Sequence, residues 1–371
     1  MLKRLLALIA VLVLLGLLWT WHQARQPYRG FSGNLILVVE PRTSTPEVAQ
    51  MLVEHGVLRQ RWPFLLRYWL GRQRHSLKAG EYLFDRPLAP RDVYWKLVLG
   101  EVYLHAVVIP EGSDRFDIAR ILNQQMGISP EDFLRATQRT TSLRDLAPQA
   151  PTLEGYLFPD TYRFPRNVSA SSVVGAMLAR FRKVYEAKFR RDVQSPLGLN
   201  GVMTLASLVE KETAVPTERP LVAGVFLRRL EKGWPLQCDP TVVYAIHLQY
   251  RLMGHPSAPL TASDLTLESP YNTYRNPGLP PGPITNPGEA SMEAAMHPAE
   301  GDALYFVSNK QGGHIFSSNL RDHNRNVASY RSHRVTLKGP LPIVAKPDES
   351  PASRHPAKAG TNPRHSAKRG H

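Results

Sequence analysis

The segment that most constrains this chain is its start. MLKRLLALIAVLVLLGLLWTWHQ places two cations ahead of an uncharged run from Leu5 to Trp21. That run holds about 17 residues, near the lower limit of the ~20 that span a bilayer core as a helix. Trp19 and Trp21 suit the far interface, where amphipathic aromatic rings settle. A cleaved signal peptide would show a small-x-small site after a shorter apolar core, but that place holds Trp-Thr-Trp-His-Gln. The expectation is an uncleaved anchor over residues 1–22, with Lys3, Arg4 and the α-amine in the cytoplasm and the bulk of the chain outside. No other apolar run approaches the ~18 residues of a span, so a single-pass protein with a soluble body follows.

The body has the composition of a globular protein, and its 371 residues suffice for two domains and tails. The single cysteine, Cys238, excludes an intramolecular disulfide. There is no clustered His/Cys spacing, Gly-rich phosphate loop, G-x-S-x-G or H-E-x-x-H, so neither a metal nor a cofactor is expected. The net charge of +15 is concentrated at the ends. Residues 1–30 contribute +4 and those from Lys338 onward +5, leaving +6 for the long middle. Such a distribution favours anionic lipid or acidic polymers over nucleic acid as partner.

Residues 23–31 read as a short polar linker. NLILVVE is a strand pattern, and TPEVAQMLVEHG is a helix with Thr45 as N-cap, Pro46 at N1 and Gly56 as terminator. KAGEYLFD reads as a strand and APRDVYWKLVLGE as a helix, giving a small α/β module over 32–105. VYLHAVVIPEG opens a second unit whose first helix is FDIARILNQQ. Downstream the pattern is helix-rich. Val174, Met177, Leu178, Phe181 and Tyr185 form one helical stripe, and TERPLVAGVFLRRLEKG is a helix capped by Thr217 with Pro220 in its first turn. From Ser263 to Pro298 the chain is crowded with Asn, Pro and Gly and is expected to hold no regular element, although Tyr271 and Tyr274 argue for an ordered loop. GGHIFSSNLRDHN reads as a glycine hairpin leading into a strand. The Pro/Lys/Arg/His/Ala mixture from Gly339 on should be disordered.

Acids in promising surroundings are few: Glu154 and Asp160 in LEGYLFPDTY, Glu210 and Glu212 in LASLVEKETAVP, Glu218, and Asp239 in LQCDPT. Two residues apart on a helix is a rotation of about 200°, so Glu210 and Glu212 point nearly opposite ways and cannot act as a pair. Glu210 shares its face with Met203, Ala206, Ser207, Thr213 and Ala214, and Glu212 with Leu205, Leu208 and Val209. Spacing alone leaves both free simply to solvate a helix end.

Four stretches then carry a resemblance. LEGYLFPDTYRFP, LASLVEKETAVPTERPLVAGVFLRRLEKGWPLQCDPTVVYA, SPYNTYRNPGLPPGPITNPGEASMEAAMHP and YFVSNKQGGHIFSSNLRDHN, in this order, resemble the MltG/YceG-like family of bacterial inner-membrane endolytic murein transglycosylases. The resemblance covers about residues 32–335. It implies an α+β protein with an N-terminal transmembrane helix, a LysM-like subdomain at 32–105, and a helix-rich YceG-like catalytic domain at 106–338 with irregular Pro/Gly loops. It implies cleavage between N-acetylmuramic acid and N-acetylglucosamine without water, leaving a 1,6-anhydro end. The first acid of the family's V-E-K-E-T motif, Glu210 here, is then the catalytic residue, kept protonated by the apolar flank Leu205–Val209. Glu154, Tyr156, Asp160, Tyr162, Gln237, Asp239, Thr241, Asn272, Thr273 and Tyr274 become candidate substrate contacts. The implied partners are glycan strands and peptidoglycan synthases (penicillin-binding proteins). Cys238 stands where a small polar residue is expected, and the basic tail lies outside the pattern. Two other readings stay open: a non-catalytic peptidoglycan-binding scaffold, and a two-carboxylate hydrolase with Asp239 as the partner acid.

Overall fold

The computed structural model describes residues 2–71, 76–190, 195–250 and 260–331. The basic tail expected from residue 339 lies outside them.

Helix α1 (Leu2–Arg25) contains the one described helix, Arg4–Arg25, that is long and apolar enough to cross a membrane. None of that stretch is buried against the rest of the protein. The segment expected as a linker is docked: Tyr28 and Leu88 exchange backbone hydrogen bonds at 3.1 and 3.4 Å, and Gly30 N–H donates to Gly56 O.

The first module is built from β1 (Leu35–Val39), α2 (Thr45–Glu54), α3 (Trp62–Leu70), β2 (Gly80–Phe84) and α4 (Pro90–Leu99). The strands pair antiparallel with Leu37 opposite Tyr82, and their alternate residues meet Val48, Leu52, Phe64, Tyr94 and Leu97 in one core. The N-cap of α2 is Ser44 rather than Thr45. Ser44 and Glu47 form a reciprocal capping box that Thr45 is one residue too late to make.

A second, larger core belongs to the body. There β3 (His105–Val108) pairs antiparallel with β4 (Thr161–Phe164), across α5 (Arg115–Met126) and α6 (Pro130–Thr137). The stripe of α7 (Ala170–Val184) is buried as its spacing predicts, Val174, Met177, Leu178 and Phe181 included. At the centre lies α8 (Gly198–Glu212), in which every residue from Val202 to Val209 is buried. A helix apolar on all sides must be surrounded. The neighbours of α8 are α9 (Arg219–Glu231), α10 (Asp239–Tyr250) and α11 (Glu289–Met296). A hairpin of β5 (Tyr305–Ser308) and β6 (His314–Ser317) and the helix α12 (Leu320–Arg331) close the body.

Two further expectations need correction. The stretch 263–298 is not wholly irregular, because α11 forms within it; EASMEAAM has no Pro or Gly and is rich in strong helix formers. Thr217 is not the cap of α9 either. Pro216 instead starts a short 3₁₀ turn to Glu218, which directly precedes α9.

Module and body meet at one buried carboxylate. Glu81 of β2 is bound by His105 Nε2 at 2.5 Å and by Arg166 at 2.9 Å, both from the body, while its backbone O accepts from Tyr103 N–H.

Candidate active site

Helix α8 ends at Glu212, and Thr213 is already extended. The two acids in its last turn diverge as geometry requires, and neither simply solvates the helix end. The side chain of Glu210 keeps only 7% of its surface exposed, with its Oε1 3.6 Å from the Arg219 guanidinium. Its Oε2 accepts from Gly288 N–H at 3.0 Å. The Leu205–Val209 flank is spent on the core, and the Glu210 carboxyl itself is met by Arg219 and the Gly288 N–H. Glu212 turns to the other side. Burial raises its carboxyl, a Cys238 hydrogen bond opposes this, Asp239 adds to it, and His314 and Arg229 oppose it.

Three glycines shape the wall around Glu210. Gly112 sits at φ +74°, a left-handed conformation that favours glycine. A Cβ there would lie 3.5 Å from Glu210 Cγ. Its carbonyl accepts from Lys211 Nζ at 3.2 Å. At Gly288 a Cβ would lie 2.1 Å from the carboxyl carbon of Glu111. The carboxyls of Glu111 and Glu210 therefore both lie against Gly288, one beside its Cα and the other on its N–H. At Gly313 a Cβ would lie 2.6 Å from Glu218 Oε1. Glu218 in turn accepts from His314 N–H and binds its Nδ1, both at 2.8 Å, and accepts from Thr213 Oγ1 at 3.1 Å. A polar strip thus crosses the end of α8, from Glu111 and Glu210 through Arg219 and the Glu218–His314 pair.

The loops bearing Gly112 and Gly288 are held by Asn286, which is fully buried. Its Oδ1 accepts from Gly155 and Leu157 N–H at 2.8 and 2.9 Å, and its Nδ2 donates to Ser113 O and Glu154 Oε1 at 2.9 and 2.8 Å. Ser207 of α8 accepts from Ile284 N–H at 3.0 Å, pinning the Pro/Gly loop onto the central helix.

The family model described as "YceG-like family" matches residues 37–329. The chain belongs to the YceG-like family. The endolytic murein transglycosylase of Streptococcus pneumoniae is 33% identical over 312 residues, 76% of this chain and 55% of that protein. The protein of that name from Bacillus subtilis is 30% identical over 309 residues, 79% of this chain and 83% of its own length. The chain thus spans about half the length of the pneumococcal relative. A crystal structure of a putative YceG-like protein from Listeria monocytogenes superposes with a TM-score of 0.54 at 31% identity, covering 79% of this chain and 98% of that one.

Within the YceG-like body the other sequence-predicted contacts fall into two groups. Glu154, Tyr156, Thr241, Asn272 and Thr273 are buried with their polar groups engaged inside the protein. Glu154 accepts from Arg115 N–H, Tyr244 OH and Asn286; burial, with the Asp114 charge next, pushes its carboxyl well up. Tyr156 OH donates to Asn200. Thr241 and Thr273 bind each other at 2.9 Å, and Asn272 holds Leu265 O, Leu267 O and Tyr274 N–H. The second group reaches solvent. Gln237 and Asp239 are exposed and Tyr274 is half-buried. Asp239 accepts from Tyr274 OH at 2.5 Å, on the Glu212 side rather than beside Glu210. Asp160 and Tyr162 are half-buried. Asp160 is bound by Arg180, whose hydrogen bond holds it below the usual carboxylate range, and Tyr162 OH donates to Phe158 O.

Sequence reasoning missed Glu111, Arg219, Gly288 and Asn286. Arg219 directly follows a candidate acid, and Asn286 and Gly288 stand in a quoted motif. Glu111 had only its Pro-Glu-Gly turn after a strand, which reads as an ordinary solvent loop.

Proposed function

We propose that the chain is a membrane-anchored lytic transglycosylase of peptidoglycan, with Glu210 as its single acid/base. The observation that carries this reading is the Glu210 carboxyl, fixed at the end of a fully buried helix by Gly288 N–H and Arg219. Relatives named endolytic murein transglycosylase support the substrate class. In this reading Glu210 gives its proton to the glycosidic oxygen as the C1–O bond of N-acetylmuramic acid breaks through an oxocarbenium-like state. N-acetylglucosamine leaves with a free 4-hydroxyl. The Glu210 carboxylate, braced by Arg219 and Gly288 N–H, then takes the proton of the C6 hydroxyl as O6 closes on C1. The product is a 1,6-anhydro end, and no water is consumed. Gln237, Asp239, Tyr274, Asp160 and Tyr162 keep accessible surface for the sugars, whereas Glu154, Tyr156, Thr241, Asn272 and Thr273 are engaged inside the protein.

In this reading α1 anchors the chain in the inner membrane with the body on the periplasmic side. There the enzyme would meet nascent strands, end their elongation, and work beside peptidoglycan synthases. The module at 32–105 is read as LysM-like. A second reading, hydrolysis by two carboxyls, is favoured by one observation: the neighbour of Glu210 across Gly288 is Glu111.

The test is to incubate the full-length protein in detergent with uncrosslinked glycan strands and analyse the new ends by mass spectrometry. Anhydro ends that disappear in Glu210→Gln, a loss of about 10²–10⁴-fold for a general acid, support the lyase. Reducing ends point to hydrolysis. Activity that survives Glu210→Gln and is lost in Glu212→Gln removes the site assignment.

A further inference from the structure

Helix α3 shows an apolar face that none of the described residues covers. It buries Pro63 and Phe64 in the module core, but Leu66, Trp69 and Leu70 remain 39, 67 and 72% exposed. Single exposed apolar residues are ordinary. These three stand at i, i+3 and i+4, on one side of one helix. The sequence around them is basic, with Arg59, Arg61, Arg67, Arg72 and Arg74 and no acid between His55 and Leu77.

The position of this face is fixed by the anchor. The rings of Trp19 and Trp62 stack with centroids 5.4 Å apart and planes 15° apart, so the first residue of α3 is level with the aromatic end of α1. The connection leaves no room for the module to move away. Helix α1 runs to Arg25, and Tyr28 is already bonded to Leu88, so only Gln26 and Pro27 lie between. Trp69 is about 10 Å along α3 from Trp62, within side-chain reach of the headgroup layer that begins where α1 leaves the hydrocarbon.

We propose that the Leu66–Trp69–Leu70 face of α3 is a membrane-docking surface that lies in the interface of the same bilayer that α1 spans, with the exposed Arg59 and Arg61 on anionic lipid headgroups. This rests on reading α1 as the anchor. The pairing of an apolar aromatic face with flanking cations is that of an interfacial helix, and the charge suits an anionic leaflet. Docking fixes the attitude of the module, and the Glu81 junction passes that attitude to the body.

The experiment uses the full chain in phosphatidylglycerol/phosphatidylethanolamine proteoliposomes, with the buried thiol removed by Cys238→Ser. Leu70→Cys, Leu12→Cys and Gln124→Cys each carry a polarity-sensitive fluorophore, and nitroxides are placed on the lipids at shallow or deep positions. The expected result is that the Leu70 probe is quenched by the shallow nitroxide, Leu12 by the deep one, and Gln124 by neither. Quenching at Leu70 should weaken when phosphatidylcholine replaces phosphatidylglycerol. A Leu70 probe as free as Gln124, with Leu12 still quenched, overturns the docking surface and leaves the anchor standing; such a face would serve another protein. A Leu12 probe that escapes both nitroxides overturns the anchor reading and the docking with it.

Discussion

Glu111 and Glu210 lie about a hundred residues apart in sequence and share Gly288 in space. Burial raises the Glu111 carboxyl, the charge of Glu210 raises it further, Arg219 opposes this and Glu289 adds to it. Replacing Glu210 by Gln removes a raising charge, so the Glu111 titration followed by carbon-13 NMR should move to lower pH; an unmoved midpoint would separate the two acids. Glu111→Gln should lower turnover by less than the loss from Glu210→Gln, and should alter the pH profile of what remains. Gly288→Ala tests the shared contact. Its φ of −74° is open to any residue, and the group it would strike is the tip of an exposed side chain. The variant should therefore fold with a near-wild-type melting temperature, displace Glu111, and lose activity. A large loss of stability instead would show the loop itself to be rigid.

The elements that hold this pair differ in how far sequence announced them. The stripe of α7 follows a 3.6-residue period and the start of α8 is a mostly apolar run, because burial on one side or all round selects residues locally. The strands β1 and β2 were legible for the same reason. Asn286 was not, since its partners at Gly155 and Leu157 lie some 130 residues away and one buried amide leaves no pattern. Glu210 was singled out from Glu212 only by resemblance; helix geometry could separate their faces but not rank them. Thr217 misled because a proline turn intervened before α9. Asn286→Ala would leave two buried N–H donors, a carbonyl and the Glu154 carboxyl each short of a partner. At about 1–3 kcal/mol for each such group, the loss on denaturant unfolding should exceed that of Ser207→Ala, which strands the Ile284 N–H and removes the hydroxyl bond to Thr204 O. Equal losses would mean that the loop is held elsewhere.

At the scale of the molecule, two hydrophobic cores are joined through Glu81. Burial alone would raise this carboxyl, but hydrogen bonds from His105 and Arg166, with their charges, outweigh it and hold it below the ordinary glutamate value of 4.5. A depressed carboxyl is protonated more readily in the unfolded chain, so its stabilisation is present above that ordinary value and is lost as pH falls through the folded one. Calorimetry of the full chain in detergent should show this as coupling between module and body. At pH 7, Glu81→Gln should lower the melting of the module while the body, which keeps its own core, changes little. On acidification the wild type should fall towards the variant until the gap closes. A gap that persists in acid would assign the junction to the Tyr103–Glu81 backbone bond instead, and no gap at pH 7 would mean that apolar contact alone joins the two cores. The closing gap is the informative result, because a carboxylate that titrates at the junction makes the attitude of the body on its anchor depend on pH.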